Sequence, residues 1–127
     1  MNYHFSKTLD VPFDQAVARV TEALKREGFC VLTDIDVSVT MKTKLGEDFR
    51  PYRILGACSP QLAHRALQLE DKIGTMLPCN VIVQQHGAGS VEVSAVDPAS
   101  MQAIRNPGLA EVANEVQAKL KKVVEGL

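Results

Sequence analysis

Apolar and polar residues change rhythm along this chain, and each change marks a predicted element. Between Asn2 and Leu9, Tyr3, Phe5 and Leu9 alternate with His4, Ser6 and Thr8, while Lys7 interrupts the apolar face. A period of two is that of a half-buried strand. After Asp10-Val11-Pro12 the period lengthens: Phe13, Ala16, Val17, Val20 and Leu24 recur at helical spacing. Lys25 and Arg26 suit the negative end of that helix, and Gly28 suits the residue beyond it. Phe29 to Thr33 is a short β-rich run, read as a strand closed by a turn at Asp34-Ile35-Asp36. Val37 to Leu45 fits two patterns. Val37, Val39 and Met41 alternate like a strand, whereas Val37, Met41 and Leu45 are spaced like a helix capped by Asp36, and periodicity does not decide between them. Gly46 ends the element either way, and Glu47 to Pro51 reads as a loop.

The stretch from Tyr52 to Asn80, YRILGACSPQLAHRALQLEDKIGTMLPCN, organises the rest. Tyr52, Ile54, Gly56 and Cys58 fall on one face of an extended segment, and Arg53, Leu55 and Ala57 on the other. Both faces are largely apolar, which places the strand inside a sheet. Ser59-Pro60 then offers a capping hydroxyl and a residue suited to the first helical turn. The helix that follows carries Leu62, Ala63, His64, Ala66 and Leu67, and Leu77-Pro78-Cys79-Asn80 turns the chain into the next apolar run.

Val81 to Gln85 and Ser90 to Val96 are two β-rich runs around His86-Gly87-Ala88-Gly89, the composition of a hairpin. The Gly-x-Gly there opens a strand, not a helix, and lacks a P-loop lysine, so it is not a phosphate loop. Asp97-Pro98 closes the second run. Asn106-Pro107 signals the start of a last helix, on which Leu109, Val112, Ala113, Val116, Leu120, Val123 and Val124 form a stripe suited to a core or a dimer seam. The order predicts one α+β domain over residues 1–127, a mostly antiparallel sheet of about five strands with helices packed on one face.

Charge narrows the partners. With 14 Lys and Arg against 15 Asp and Glu, the net charge of -1 gives no basic field to attract nucleic acid or anionic lipid. The N-terminal MNYHFSKTLD has no apolar h-region and no long apolar span follows, so neither secretion nor membrane insertion is expected and a cytoplasmic location follows by default. Three cysteines in such a chain read as reduced thiols, not as a disulfide framework.

Two of those thiols carry the candidate chemistry. Cys58 precedes a predicted helix N-terminus, whose dipole favours a thiolate. Cys79 opens the following strand, and His64 lies on the helix between them. If the two strands adjoin, two thiols and an imidazole converge in a set suited to a soft or borderline metal ion, a sulfur species or another small ligand. Arg53 and Asp97, at strand positions, are further ligand-binding candidates, although an ion pair or a turn cap is the plainer account of both. Core filling is likewise the plainer account of Cys58 and Cys79, capping or a core hydrogen bond that of His64, and Cys30 reads as packing. The Cys58 and Cys79 pair lacks Cys-x-x-Cys spacing. There is no nucleophile elbow, no His-Glu-x-x-His, no Walker lysine and no cofactor signature, and the side chains of Glu70 and Asp71 diverge on a helix. A familiar enzyme class is not indicated.

PFDQAV, EGFCVLTDIDV, DFRPYRILGACSPQLAHRAL, LPCNVIV and VSAVDP together resemble the bacterial and archaeal domain-of-unknown-function family numbered 302, over about Pro12 to Pro98. The resemblance implies a small α+β fold related to the TATA-binding-protein half-fold, often dimeric, with Val37 to Leu45 helical. It brings no established activity, and fold analogy lends none. The expected function is a small cytoplasmic binding module, homodimeric, holding a small ligand, sulfur species or metal ion near Cys58, His64 and Cys79. A structural or self-association protein is the rival expectation, and a thiol-dependent enzyme the third.

Overall fold

The chain folds as β1 (His4–Leu9), α1 (Phe13–Arg26), β2 (Cys30–Asp36), α2 (Val37–Leu45), β3 (Tyr52–Cys58), α3 (Pro60–Leu69), a 3-10 helix (Asp71–Met76), β4 (Cys79–His86), β5 (Ser90–Val96) and α4 (Pro107–Glu125). This computed structural model describes residues 3–99 and 106–127, so Asn2, where the first strand was expected to begin, lies outside the described residues. The strands form one antiparallel sheet in the order β1-β5-β4-β3-β2, with β1 and β2 at its edges. The α+β expectation holds, and β3 is internal as its two apolar faces required.

Alternation sends Leu9, Leu55, Ala57, Val81, Val83, Val91, Val93 and Ala95 to one face of the sheet. There they are buried against Ala16, Val20 and Leu24 of α1 and Leu120, Val123 and Val124 of α4. Each fully buried aliphatic side chain contributes about 1.5–3 kcal/mol through its removal from water. A second cluster joins Leu62 and Ala66 of α3 and Ile73 of the 3-10 helix to Leu109 and Val112, so α3 is held chiefly through α4. The opposite face carries Tyr52, Ile54, Gly56 and Cys58 of β3, Asn80, Ile82 and Gln84 of β4, and Glu92 and Ser94 of β5.

Local signals explain most boundaries. Gly28, at φ +85, takes the left-handed position just past α1. Asn106 Oδ1 accepts from the backbone N–H groups of Gly108 and Leu109 and so caps α4. The ambiguous segment is a helix, as the resemblance implied: Asp36 Oδ1 accepts from the Val39 N–H at 3.1 Å and Gly46 closes the last turn at φ +68. That helix buries none of its residues.

Two local expectations fail. Asp34-Ile35-Asp36 is not a turn, because β2 continues through it, with Asp34 opposite Leu55 and Asp36 opposite Arg53. Its carboxylates have a cross-strand cation and a helix to cap, so they need no turn backbone. Ser59 gives α3 no side-chain cap, and the helix starts on Pro60 alone. The Leu77–Pro78 peptide, which leads into β4, is cis. Among the described residues no helix is long and apolar enough to cross a membrane.

Candidate functional site

Cys58 ends β3 and Cys79 opens β4, where it pairs with Ala57, so the two thiols meet at one end of the sheet. They share a pocket of ≈ 30 Å³ with Ser59, Leu62, Leu77 and Val112, in the cleft that α3 and α4 form with the strand ends. Burial pushes the Cys79 thiol up to about 11, with Cys58 the next contribution. Cys58 moves in the same direction, again through burial first and its neighbour Cys30 second. The expected ease of forming a Cys58 thiolate at the helix N-terminus is therefore reversed, because withdrawal from water outweighs the dipole. At neutral pH the pocket presents two uncharged S–H groups.

His64 does not join them. Leu62 and Ala66 are buried, and a residue two positions from each points away from both on a helix, which leaves His64 exposed. Among the described residues no group of three or more His, Cys, Asp or Glu side chains is placed to hold a metal ion. The metal set anticipated from Cys58, His64 and Cys79 is thus not assembled.

Arg53 and Asp97 are engaged elsewhere. Arg53 faces away from Cys58 along β3 and forms a two-pronged pair with Asp34, Nε to Oδ1 at 2.8 Å and Nη2 to Oδ2. Asp97 Oδ1 accepts from the Ala99 N–H and from Gln117 Nε2, each at 2.9 Å, which ties the end of β5 to α4. Neither residue lines the thiol pocket.

The sequence reading assigned Cys30 to packing and gave it no partner. Register places it directly opposite Cys58, and its Sγ donates to the Cys58 carbonyl oxygen at 3.4 Å. Nothing local to either segment carries that pairing.

It also passed over the sheet face that the α1 and α4 helices leave uncovered. A groove of ≈ 410 Å³ lies there, lined by Tyr3, Tyr52, Ile82, Gln84, Glu92 and Ser94 among others. Gln84 and Ser94 are buried polar residues, each held by partners. Arg50 Nε donates to Gln84 Oε1 at 3.0 Å, and Gln84 Nε2 donates to Glu92 Oε1 at 3.3 Å. His86 Nε2 stands 3.5 Å from the same Glu92 oxygen. The Arg50 guanidinium lies over the rings of Phe49, at 4.6 Å, and Tyr52, at 5.4 Å, which fixes the rim. On the other side Ser94 Oγ shares a 2.7 Å hydrogen bond with Ser6 Oγ, which shares another of 2.7 Å with His4 Nδ1. The groove thus combines apolar surface with polar groups of fixed orientation. The available signal was the polar alternation of His4, Ser6 and Thr8 and of Ser90, Glu92 and Ser94, which marks one side of two strands as different from the core.

Comparison with known proteins agrees with this architecture. The model of the family described as Domain of unknown function DUF302 matches residues 5–127. The crystal structure of an uncharacterized conserved DUF302 protein from Bacillus stearothermophilus is 30% identical and superposes with a TM-score of 0.88, over 97% of this chain and 96% of that one. No curated protein matches the chain.

Proposed function

We propose, for a chain that belongs to the DUF302 family of domains of unknown function, a role as a binding module for a small organic molecule. The observation that carries this reading is the ≈ 410 Å³ groove on the uncovered sheet face. Concave sites of that size, with an apolar body and a few oriented polar groups, are the usual form of small-molecule sites. Glu92 brings a carboxylate to the lining, and among the described residues no lysine or arginine lines it, the Arg50 guanidinium standing at the rim. That balance favours a flat, donor-rich ligand such as an aromatic amine. Titration of isotope-labelled protein with a library of small aromatic amines tests it. Shifts clustered on Tyr52, Ile82, Gln84 and Ser94, and abolished by Ile82→Trp, support the reading; a library that leaves those amides unmoved sinks it.

The pocket at Cys58 and Cys79 is a smaller site within the same reading. Its ≈ 30 Å³ and two protonated thiols suit a compact neutral sulfur species better than an organic ligand or a hard cation. The three free thiols support a reducing, cytoplasmic setting.

Self-association has its own support. Leu32, Ile35, Val39, Leu45 and Phe49 are exposed, and all belong to edge strand β2, to α2 or to the segment after it. An apolar edge strand beside a helix that buries nothing invites cover. We propose a second copy of the chain as that cover, in a homodimer.

A further inference from the structure

We propose that Cys30 and Cys58 are a reversible oxidation site, a cross-strand dithiol that low-molecular-weight disulfides convert into an intramolecular disulfide joining β2 to β3. The register pairs the two residues directly. Directly opposed residues of antiparallel strands send their side chains to the same face, with Cα atoms about 4.5–5.5 Å apart. A disulfide spans Cα separations of roughly 4.4–6.8 Å, so no backbone movement is needed. Cys30 Sγ already lies 3.4 Å from the Cys58 carbonyl oxygen, and rotation about its χ1 carries it to the neighbouring sulfur.

Access separates this pair from the third thiol. Cys30 and Cys58 are half-buried, at the ends of strands, where a small reagent reaches them. Cys79 is buried and in register with Ala57, so it is not the cross-strand partner of Cys58. The upward push that Cys30 exerts on the Cys58 thiol is what two close sulfurs produce.

The exchange balances without a further reagent. The Cys30 thiolate attacks one sulfur of glutathione disulfide, the S–S bond breaks, and one glutathione leaves as a thiolate that takes up a proton. Cys58 then gives up its proton and attacks the Cys30 sulfur of the mixed disulfide, releasing the second glutathione. The protein loses two protons and two electrons, and the reagent gains them as two thiols. Cys58 acts second because burial holds its thiol protonated. The new bond closes a loop that contains α2, pins the edge strand, and withdraws the Cys58 sulfur from the pocket it shares with Cys79.

This inference is independent of the groove reading. Native protein is incubated with glutathione disulfide and followed by intact mass, peptide mapping without reductant, and thermal unfolding. The expected product has lost two hydrogens, carries no adduct, shows a Cys30–Cys58 cross-linked peptide with Cys79 free, and unfolds about 5 °C higher, reversibly with dithiothreitol. Cys79→Ser is expected to give the same product, and Cys30→Ser to give none. A glutathione adduct that persists on the wild-type chain, a cross-link through Cys79, or reaction only after unfolding in urea overturns the proposal. Should Cys30→Ser fail to fold, the wild-type peptide map decides by itself.

Discussion

Thr33 Oγ1 occupies the space that a β-carbon on Gly56 would need, and the Pro78 Cγ stands 2.7 Å from that same point. The two residues are register partners next to the irregularity between Val31 and Thr33, where β2 presses close to β3. Gly56→Ala is expected to destabilise the fold by about 1–3 kcal/mol through overpacking. Urea unfolding measures it, and Thr33→Ala in the same chain should restore part of the loss. An unchanged midpoint in Gly56→Ala would refute the account.

Cys79 makes stability fall on the alkaline side. Its folded value of about 11 lies above the ordinary thiol value of 9.0, so the folded state holds the proton more tightly than the unfolded chain. The contribution is whole below pH 9 and disappears as pH rises from 9 towards 11. Over that interval the wild type should lose about 2–3 kcal/mol more than Cys79→Ala. Parallel pH profiles of the two proteins would show the idea to be wrong.

The Arg53 pair with Asp34 predicts the opposite slope, and a gentler one. Arg53, chiefly through its hydrogen bonds, holds the Asp34 carboxyl below its ordinary 3.8, so this stabilisation is present above that value and is lost as pH falls through the lower folded one. Asp34 is partly exposed, with 40% of its side chain accessible, and the effect is discounted accordingly. Arg53→Gln should cost about 0.5–1 kcal/mol at pH 7, with the difference from wild type shrinking in strong acid. Equal differences at both pH values would remove the pair as the cause.

Sedimentation tests the second copy on β2 and α2. Leu32→Glu and Val39→Glu, at sites 63% and 59% exposed, should leave the fold intact while shifting the protein to monomer. A wild-type chain that sediments as a monomer at high concentration rules out the homodimer.

Much of the architecture was legible because its signals are local. Gly28, Asp36, Gly46 and Asn106 act within a turn of where they stand, and the alternation of Leu55 and Ala57 with Gly56 and Cys58 already implied an internal strand. The reading of Asp34-Ile35-Asp36 failed because acidic residues suit turns and cross-strand cations alike, and Arg53 lies in a different segment. For the site, part of the error was avoidable. His64 stands two positions from Leu62 and from Ala66, so helix geometry already turned it away from the buried face, and Arg53 stands an odd number of positions from Cys58, which puts those two on opposite faces of β3. The Cys30 partnership and the groove depend on register and strand order across distant segments, which periodicity within one segment does not carry.

A consequence follows from β1 and β2 standing at opposite margins while pointing the same way. The α1 helix has to bring the chain back against them and over the full breadth between them, and it packs on β2, β4 and β5 on the way. Its 14 residues at about 1.5 Å of rise measure roughly 21 Å, close to the 6 residues of β1 at about 3.3 Å each, or roughly 20 Å. The return helix is thus matched in length to the strand it follows, and trimming a turn from it would leave β2 starting short of the level at which β1 began.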